Sequence, residues 1–264
     1  MVLKRLFGGG VPLEVDTVIE PGPFRPGGVM RGEVVVRAPE RDLEIESISL
    51  RLLANAPLFH KGDGDGEGGG ETIGHPDASG WFELGKGQEK RVPLKFRLRW
   101  ETPVNELRGE DLGVLIGVRT EVEAAGVKAR TDMDPVRVEA LPLHEAVLDA
   151  FAAEGYALDG APVHGSSISG VERHLWTWQG FRLVRPEASE GRPREVELTF
   201  HTNAVGSEIF LRKGRGTTKY WDDRPRALRY VAAHHEVGAR DFGADVRAWL
   251  EKVAVLRLKG NGEG

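Results

Sequence analysis

Four groups of residues carry side chains suited to chemistry. The first is Asp63-Gly-Asp-Gly-Glu-Gly68, with carboxylates at alternate positions and then Gly, as in the first half of a calcium loop. Position 12 of such a loop is Gly74, where a bidentate Glu is needed, and the flanks read as strands, not helices. The stretch therefore reads as an acidic surface loop. The second group is Asp132 and Asp134, two apart on a strand and so on one face. That spacing suits an acid and base pair or two ligands of one ion. A solvated face gives the same spacing, and Lys128 and Arg130 lie beside the aspartates. Local hydrogen bonds or ion pairs near Pro135 are the expected use.

The third group, His234-His235-Glu236, reads as the end of a strand over 227–236. Neighbours on a strand point to opposite faces, so the two imidazoles cannot hold one ion together. The remaining histidines, His60, His75, His144, His164, His174 and His201, are scattered. Gly165-Ser-Ser-Ile-Ser-Gly170 lacks the Gly-x-Ser-x-Gly of a nucleophile elbow. No catalytic, cofactor-binding or metal-ligating residue is assigned, and the expectation is a protein that is not an enzyme.

The fourth group is basic. Arg212, Lys213, Arg215, Lys219, Arg224, Arg226 and Arg229 surround Tyr220 and Trp221, against Asp222 and Asp223. Cations interleaved with aromatic rings suit an anionic membrane surface or a nucleic acid. Lys95, Arg97 and Arg99 make a second basic face. Outward charges also keep strand edges from pairing, so both readings stand. Trp176 and Trp178 share a strand face; such a pair forms a core more often than a binding platform.

The elements that position these groups are mostly strands. The 264 residues suit two domains, and 40% apolar residues supply a core. With no Cys there is no disulfide or thiolate chemistry, which fits a reducing cytoplasm. No segment has the apolar run of a signal peptide or of a membrane span. A net charge of −5 gives no global attraction to nucleic acid.

From Val114, alternation runs to Val122, turns at Ala124-Ala125-Gly126, and resumes from Val127 to Met133, a β-hairpin pattern. A short strand over 136–140 follows Pro135. Upstream, strands are expected from Leu13, over 29–37, over 43–55 and over 91–100. In the third of these the apolar residues change parity between Ile45 and Ile48, which predicts a bulge near Glu46-Ser47. Pro93 predicts an edge position for the fourth. Residues 61–80 read as a long Gly-rich hairpin loop. A helix is expected over 142–155, with Pro142 at its first position and Gly155 as its stop, and a second over 239–255. Between them, strands are expected over 174–184, 194–202, 207–213 and 227–236.

This succession resembles the SpoOM family of bacterial sporulation-control proteins. The resemblance rests on the opening strands LEVDTVIEPGPFRPGGVMRGEVVV, on Ile48-Ser-Leu-Arg-Leu and on Trp100-Glu-Thr-Pro-Val. Its most specific part runs from Val118-Arg-Thr-Glu-Val through Asp132-Met-Asp-Pro-Val-Arg-Val. The helix opened by Leu141-Pro-Leu-His and the strand around Trp178-Gln-Gly-Phe add to it. Ile209-Phe-Leu-Arg-Lys departs, lacking an expected acidic residue.

The resemblance implies an all-β fold of two arrestin-like antiparallel β-sandwich domains, with a helix after a hinge and a C-terminal helix. The expected domains are 1–138 and 139–264, with Asp134, Pro135 and Pro142 as the candidate hinge. It implies a non-catalytic cytoplasmic scaffold or regulatory protein in development or cell division, working through protein partners, with no cofactor. The alternative from the residues is a module for anionic lipid or nucleic acid, with Arg212–Arg229 as its surface.

Overall fold

The computed structural model describes residues 12–54, 70–76, 80–165, 177–186, 191–214 and 227–256. Ten strands come first: β1 (Glu14–Ile19), β2 (Val29–Arg37), β3 (Leu43–Ala54), β4 (Glu71–Gly74), β5 (Phe82–Leu84), β6 (Glu89–Arg97), β7 (Glu106–Leu107), β8 (Glu110–Asp111), β9 (Ile116–Ala124) and β10 (Arg130–Pro135). Helix α1 (Pro142–Ala153) leads to β11 (Ala157–Gly160), β12 (Val163–Gly165), β13 (Thr177–Gln179) and β14 (Phe181–Val184). Then come β15 (Glu195–Thr202), β16 (Gly206–Lys213), β17 (Leu228–Ala233) and helix α2 (Phe242–Ala254). The fold is mainly β, with antiparallel sheets and the two expected helices.

The chain divides into two compact units. The first comprises Met1–Gly22, Val29–Arg97 and Ile116–Val136; the second comprises Pro23–Gly28, Leu98–Leu115 and Arg137–Gly264. The expected division at 138 lies two residues beyond the last of these boundaries. Two earlier segments also belong to the second unit, because Phe24 and Asn105 bond there to the chain after Pro135. Phe24 N donates to Arg137 O at 2.8 Å, Glu139 N to Phe24 O at 2.7 Å and Asn105 N to Val138 O at 2.9 Å. Residues 136–140 therefore make isolated parallel bridges to Phe24 and Glu106 and do not form the strand expected there.

In the first unit a three-stranded sheet, β1-β2-β6, faces a five-stranded one, β10-β9-β3-β4 with β5 also on β3. Thr17 and Thr120 hydroxyls meet between the sheets at 2.7 Å. The inner face is read off the alternation: Leu43, Ile45, Ile48, Leu50 and Leu52 on β3, and Ile116, Val118 and Val122 on β9, are buried. Each such side chain contributes about 1.5–3 kcal/mol. The parity change in β3 is a register shift between Ile45 and Ser47, as expected. Pro93 lies opposite Glu33 on the edge strand β6, where its missing N–H interrupts no central ladder.

The second unit is built on the sheet β11-β14-β15-β16-β17, with two-stranded ribbons β12-β13 and β7-β8. The expected strand over 174–184 is split at Gly180, whose N–H donates to Pro162 O at 3.0 Å; its residues 174–176 lie outside the described residues. Helix α1 starts at Pro142 and buries Leu143, His144, Val147, Leu148, Ala150 and Phe151; Gly155, at φ 84°, ends it. Helix α2 is capped by Asp241 Oδ1, which accepts from Ala244 N at 3.0 Å. It buries Phe242, Val246, Trp249, Leu250 and Val253, and Trp249 stacks on Tyr230 of β17 at 4.4 Å. No helix among the described residues is long and apolar enough to cross a membrane.

Candidate functional site

Asp132 and Asp134 do not sit on a solvated face. β10 pairs with β9 so that Asp132 is opposite Thr120 and Asp134 opposite Val118, both of which are buried. The carboxylates thus share the inward side. Asp132 Oδ2 accepts from Thr17 N at 2.7 Å and Oδ1 from Met133 N at 3.0 Å. The first bond is long-range, unlike the local bonds expected near Pro135. It satisfies a backbone donor on the outer edge of β1. Asp134 Oδ2 is buried without a hydrogen-bond partner. Burial, then the neighbouring Asp132 and Asp16 carboxylates, push the Asp134 carboxyl up to about 7. Among the described residues, no three His, Asp or Glu side chains gather as a metal site. Asp134 and Pro135 of the expected hinge end β10, and Pro142 opens α1.

Of the basic surface, Arg215, Lys219, Tyr220, Trp221, Arg224 and Arg226 lie outside the described residues, as do the 63–68 loop, His60, Trp176 and His174. Arg212 is drawn inward, 12% exposed, with its guanidinium 2.9 Å from Glu197 and over the buried Trp178 ring at 5.0 Å. Lys213 Nζ donates to Ala254 O at 2.5 Å and Leu256 O at 3.0 Å. It neutralises carbonyls that the end of α2 leaves without partners. Arg229 pairs with Glu208. Gly74 packs against Phe96, which a Cβ would meet at 2.6 Å; packing explains the glycine in β4.

His234-His235-Glu236 forms a short 3-10 turn after β17, a correction to the strand expected there. Glu236 Oε2 accepts from Ala233 N at 2.6 Å and so caps the turn. His234 Nε2 bonds Asn203 O at 2.9 Å, and its ring stacks on Trp100 at 5.5 Å.

One crevice of the second unit gathers polar groups that are scattered in sequence. Trp100, Thr102, His144, Trp178, Phe200 and His201 are among its lining residues. His144 comes from α1, is 5% exposed and stacks on Phe200 at 4.2 Å. Its Nε2 is 2.9 Å from Thr202 Oγ1, which is 2.8 Å from Ser207 Oγ. Burial, then the nearby His234, hold the His144 imidazole down to about 3, so it is neutral. Its Nδ1, Thr102 Oγ1 and His201 Nδ1 are all buried without a hydrogen-bond partner. His201 Nδ1 stands 3.9 Å from a Glu101 carboxylate oxygen.

Gln179 closes one wall like a strand. Its Oε1 accepts from Val104 N at 2.9 Å, and its Nε2 donates to Val104 O at 2.7 Å and Ala161 O at 3.0 Å. The space is about 30 Å³. That suits one water-sized hydrogen-bonding group and is too small for an organic substrate.

One signal for this crevice is visible in the sequence: His144 is four residues before Leu148 and next to Leu143, on the apolar stripe of α1. Thr102 and His201 carry no such signal, since distant segments bring them together.

A family model described as SpoOM protein matches residues 2–216. Sporulation-control protein spo0M of Bacillus subtilis (strain 168) is 28% identical over 208 residues, 77% of each chain. The crystal structure of Spo0M, sporulation control protein, from Bacillus subtilis superposes with a TM-score of 0.73 at 22% identity. The match covers 92% of this chain and 99% of that one, and shows a shared fold.

Proposed function

Because the chain belongs to the SpoOM protein family, we propose that it is a regulatory protein of sporulation or a related developmental step, acting in the cytoplasm through protein contacts and not through catalysis. The observation that carries this reading is the family match over residues 2–216, together with the relative named a sporulation-control protein. The exposed outer face of the five-stranded sheet offers a surface for a partner.

The test is deletion of the gene in its own host, with a wild-type copy restored. A developmental or division defect that the restored copy corrects is the expected result. A strain that grows, divides and differentiates as before overturns the reading.

A further inference from the structure

The outer face of the five-stranded sheet in the first unit is strongly polarised. At one end stands Trp81, 58% exposed, an unusual position for so large an apolar ring. Its Nε1 donates to Glu44 Oε1 at 2.6 Å, which fixes the indole beside that carboxylate. Glu44 lies directly opposite Glu83 in the β3–β5 pairing. Like charges directly opposite on a sheet disfavour the pairing. Glu46 is exposed at the adjoining bulge, and Glu121 and Glu123 of β9 continue the same face. Ser47 Oγ donates to Glu123 at 3.0 Å, and Arg51 approaches Glu121 at 3.7 Å. Arg51 and Arg119 oppose each other at the far end, so the acidic character is confined to the Trp81 end. An open groove of about 680 Å³ runs along it, walled by Asp42, Glu44, Glu83 and Gln88 among others. Lys86 contributes a backbone N–H to Asp42 there.

We propose that the Trp81 end of this face docks a basic segment of a protein partner, with a Lys or Arg of that segment set over the indole and between Glu44 and Glu83. The argument is charge complementarity around an exposed aromatic ring. A cation there relieves the Glu44–Glu83 repulsion and gains the attraction of the ring face. Tryptophan is also, with Tyr and Arg, enriched among the residues that dominate protein interfaces. The inference rests on the reading that the protein works through protein contacts, and adds the surface and the chemistry of the partner.

The test uses the full chain and a fluorescein-labelled extended peptide of alternating Arg and Gly, read by anisotropy at low and physiological ionic strength. Trp81→Ala is expected to weaken binding about fivefold or more, and Glu44→Gln/Glu83→Gln about tenfold. Trp81→Phe, which keeps a ring, is expected to fall between. Glu14→Gln/Glu110→Gln makes the same charge change elsewhere and is expected to leave binding within about twofold. Circular dichroism melts establish that each variant is folded.

The proposal is overturned if the Glu14/Glu110 pair weakens binding as much as the Glu44/Glu83 pair, since attraction is then nonspecific. It is also overturned if Trp81→Ala binds like wild type. If sedimentation shows a wild-type dimer that Trp81→Ala abolishes, the occupant is a second copy of this chain and the proposal is equally overturned. The gene-deletion phenotype does not depend on these results, so the two readings fail separately.

Discussion

The Thr17 amide and the Asp132 carboxylate, 115 residues apart, meet at 2.7 Å and tie the outer edge of β1 to the side of β10. An edge strand presents unpaired N–H groups, and here an inward-turned carboxylate takes one of them. Asp132→Ala should leave that donor without its charged acceptor and cost about 1–3 kcal/mol. Asp132→Asn, which keeps an oxygen in place, should cost less than half as much. Urea unfolding of the three proteins at one pH measures both.

Asp134 gives a pH dependence of definite sign. Its carboxyl is raised from an ordinary value near 3.8 to about 7 in the fold. The fold therefore binds a proton that the unfolded chain has released, and stability from this group is lost as pH rises toward 7. The side chain is only partly buried, so about 1–2 kcal/mol is expected, well short of the full shift. Asp134→Asn should be more stable than wild type by that amount at pH 8 and show no gain at pH 4, as read from urea midpoints.

His144 acts in the opposite direction. Its imidazole is held down to about 3 against an ordinary 6.5, so the fold keeps it neutral. The stability it contributes is present above pH 6.5 and is lost as pH falls and the unfolded chain takes up the proton. Between pH 7 and pH 4.5 the loss should be about 2–3 kcal/mol. His144→Phe keeps a ring against Phe200 and should flatten this acid limb, even if it lowers stability at pH 7 by removing the Thr202 bond. Unfolding at the two pH values separates the slope from the offset.

Gln179 is expected to be among the costliest polar substitutions. Gln179→Ala removes three hydrogen bonds and strands Val104 N, Val104 O and Ala161 O in a buried site. About 2–4 kcal/mol is expected. Gln179→Glu should cost at least as much, since it turns an acceptor toward two carbonyl oxygens. Thermal unfolding by calorimetry measures both.

Periodicity carried the regular elements. The parity change between Ile45 and Ile48 located a bulge, Pro93 located an edge, and Pro142 and Gly155 bounded α1. Each is a local rule, and local rules are visible in one sequence. The side on which Asp132 and Asp134 lie was not visible, because it depends on Thr17, a residue of another strand. His234-His235-Glu236 kept strand-like neighbours upstream, yet Glu236 reaches back to cap Ala233 and turns the chain. Arg212, Lys213 and Arg229 read as outward charges because Glu197, the end of α2 and Glu208 are remote from them in sequence. The acidic face was hidden for the same reason. Glu44, Glu83 and Trp81 become neighbours only through the β3–β5 pairing.

The return of Phe24 and Asn105 to the chain after Pro135 has a consequence for inheritance. The second unit draws on Pro23–Gly28, Leu98–Leu115 and Arg137–Gly264, so no single cut in the gene yields a piece that encodes it apart from the first. A recombination event at the middle of the gene would carry away a C-terminal half lacking the segments that hold Phe24 and Asn105. A transferred fragment that carries the second unit complete must therefore also carry Val29–Arg97 and Ile116–Val136 of the first.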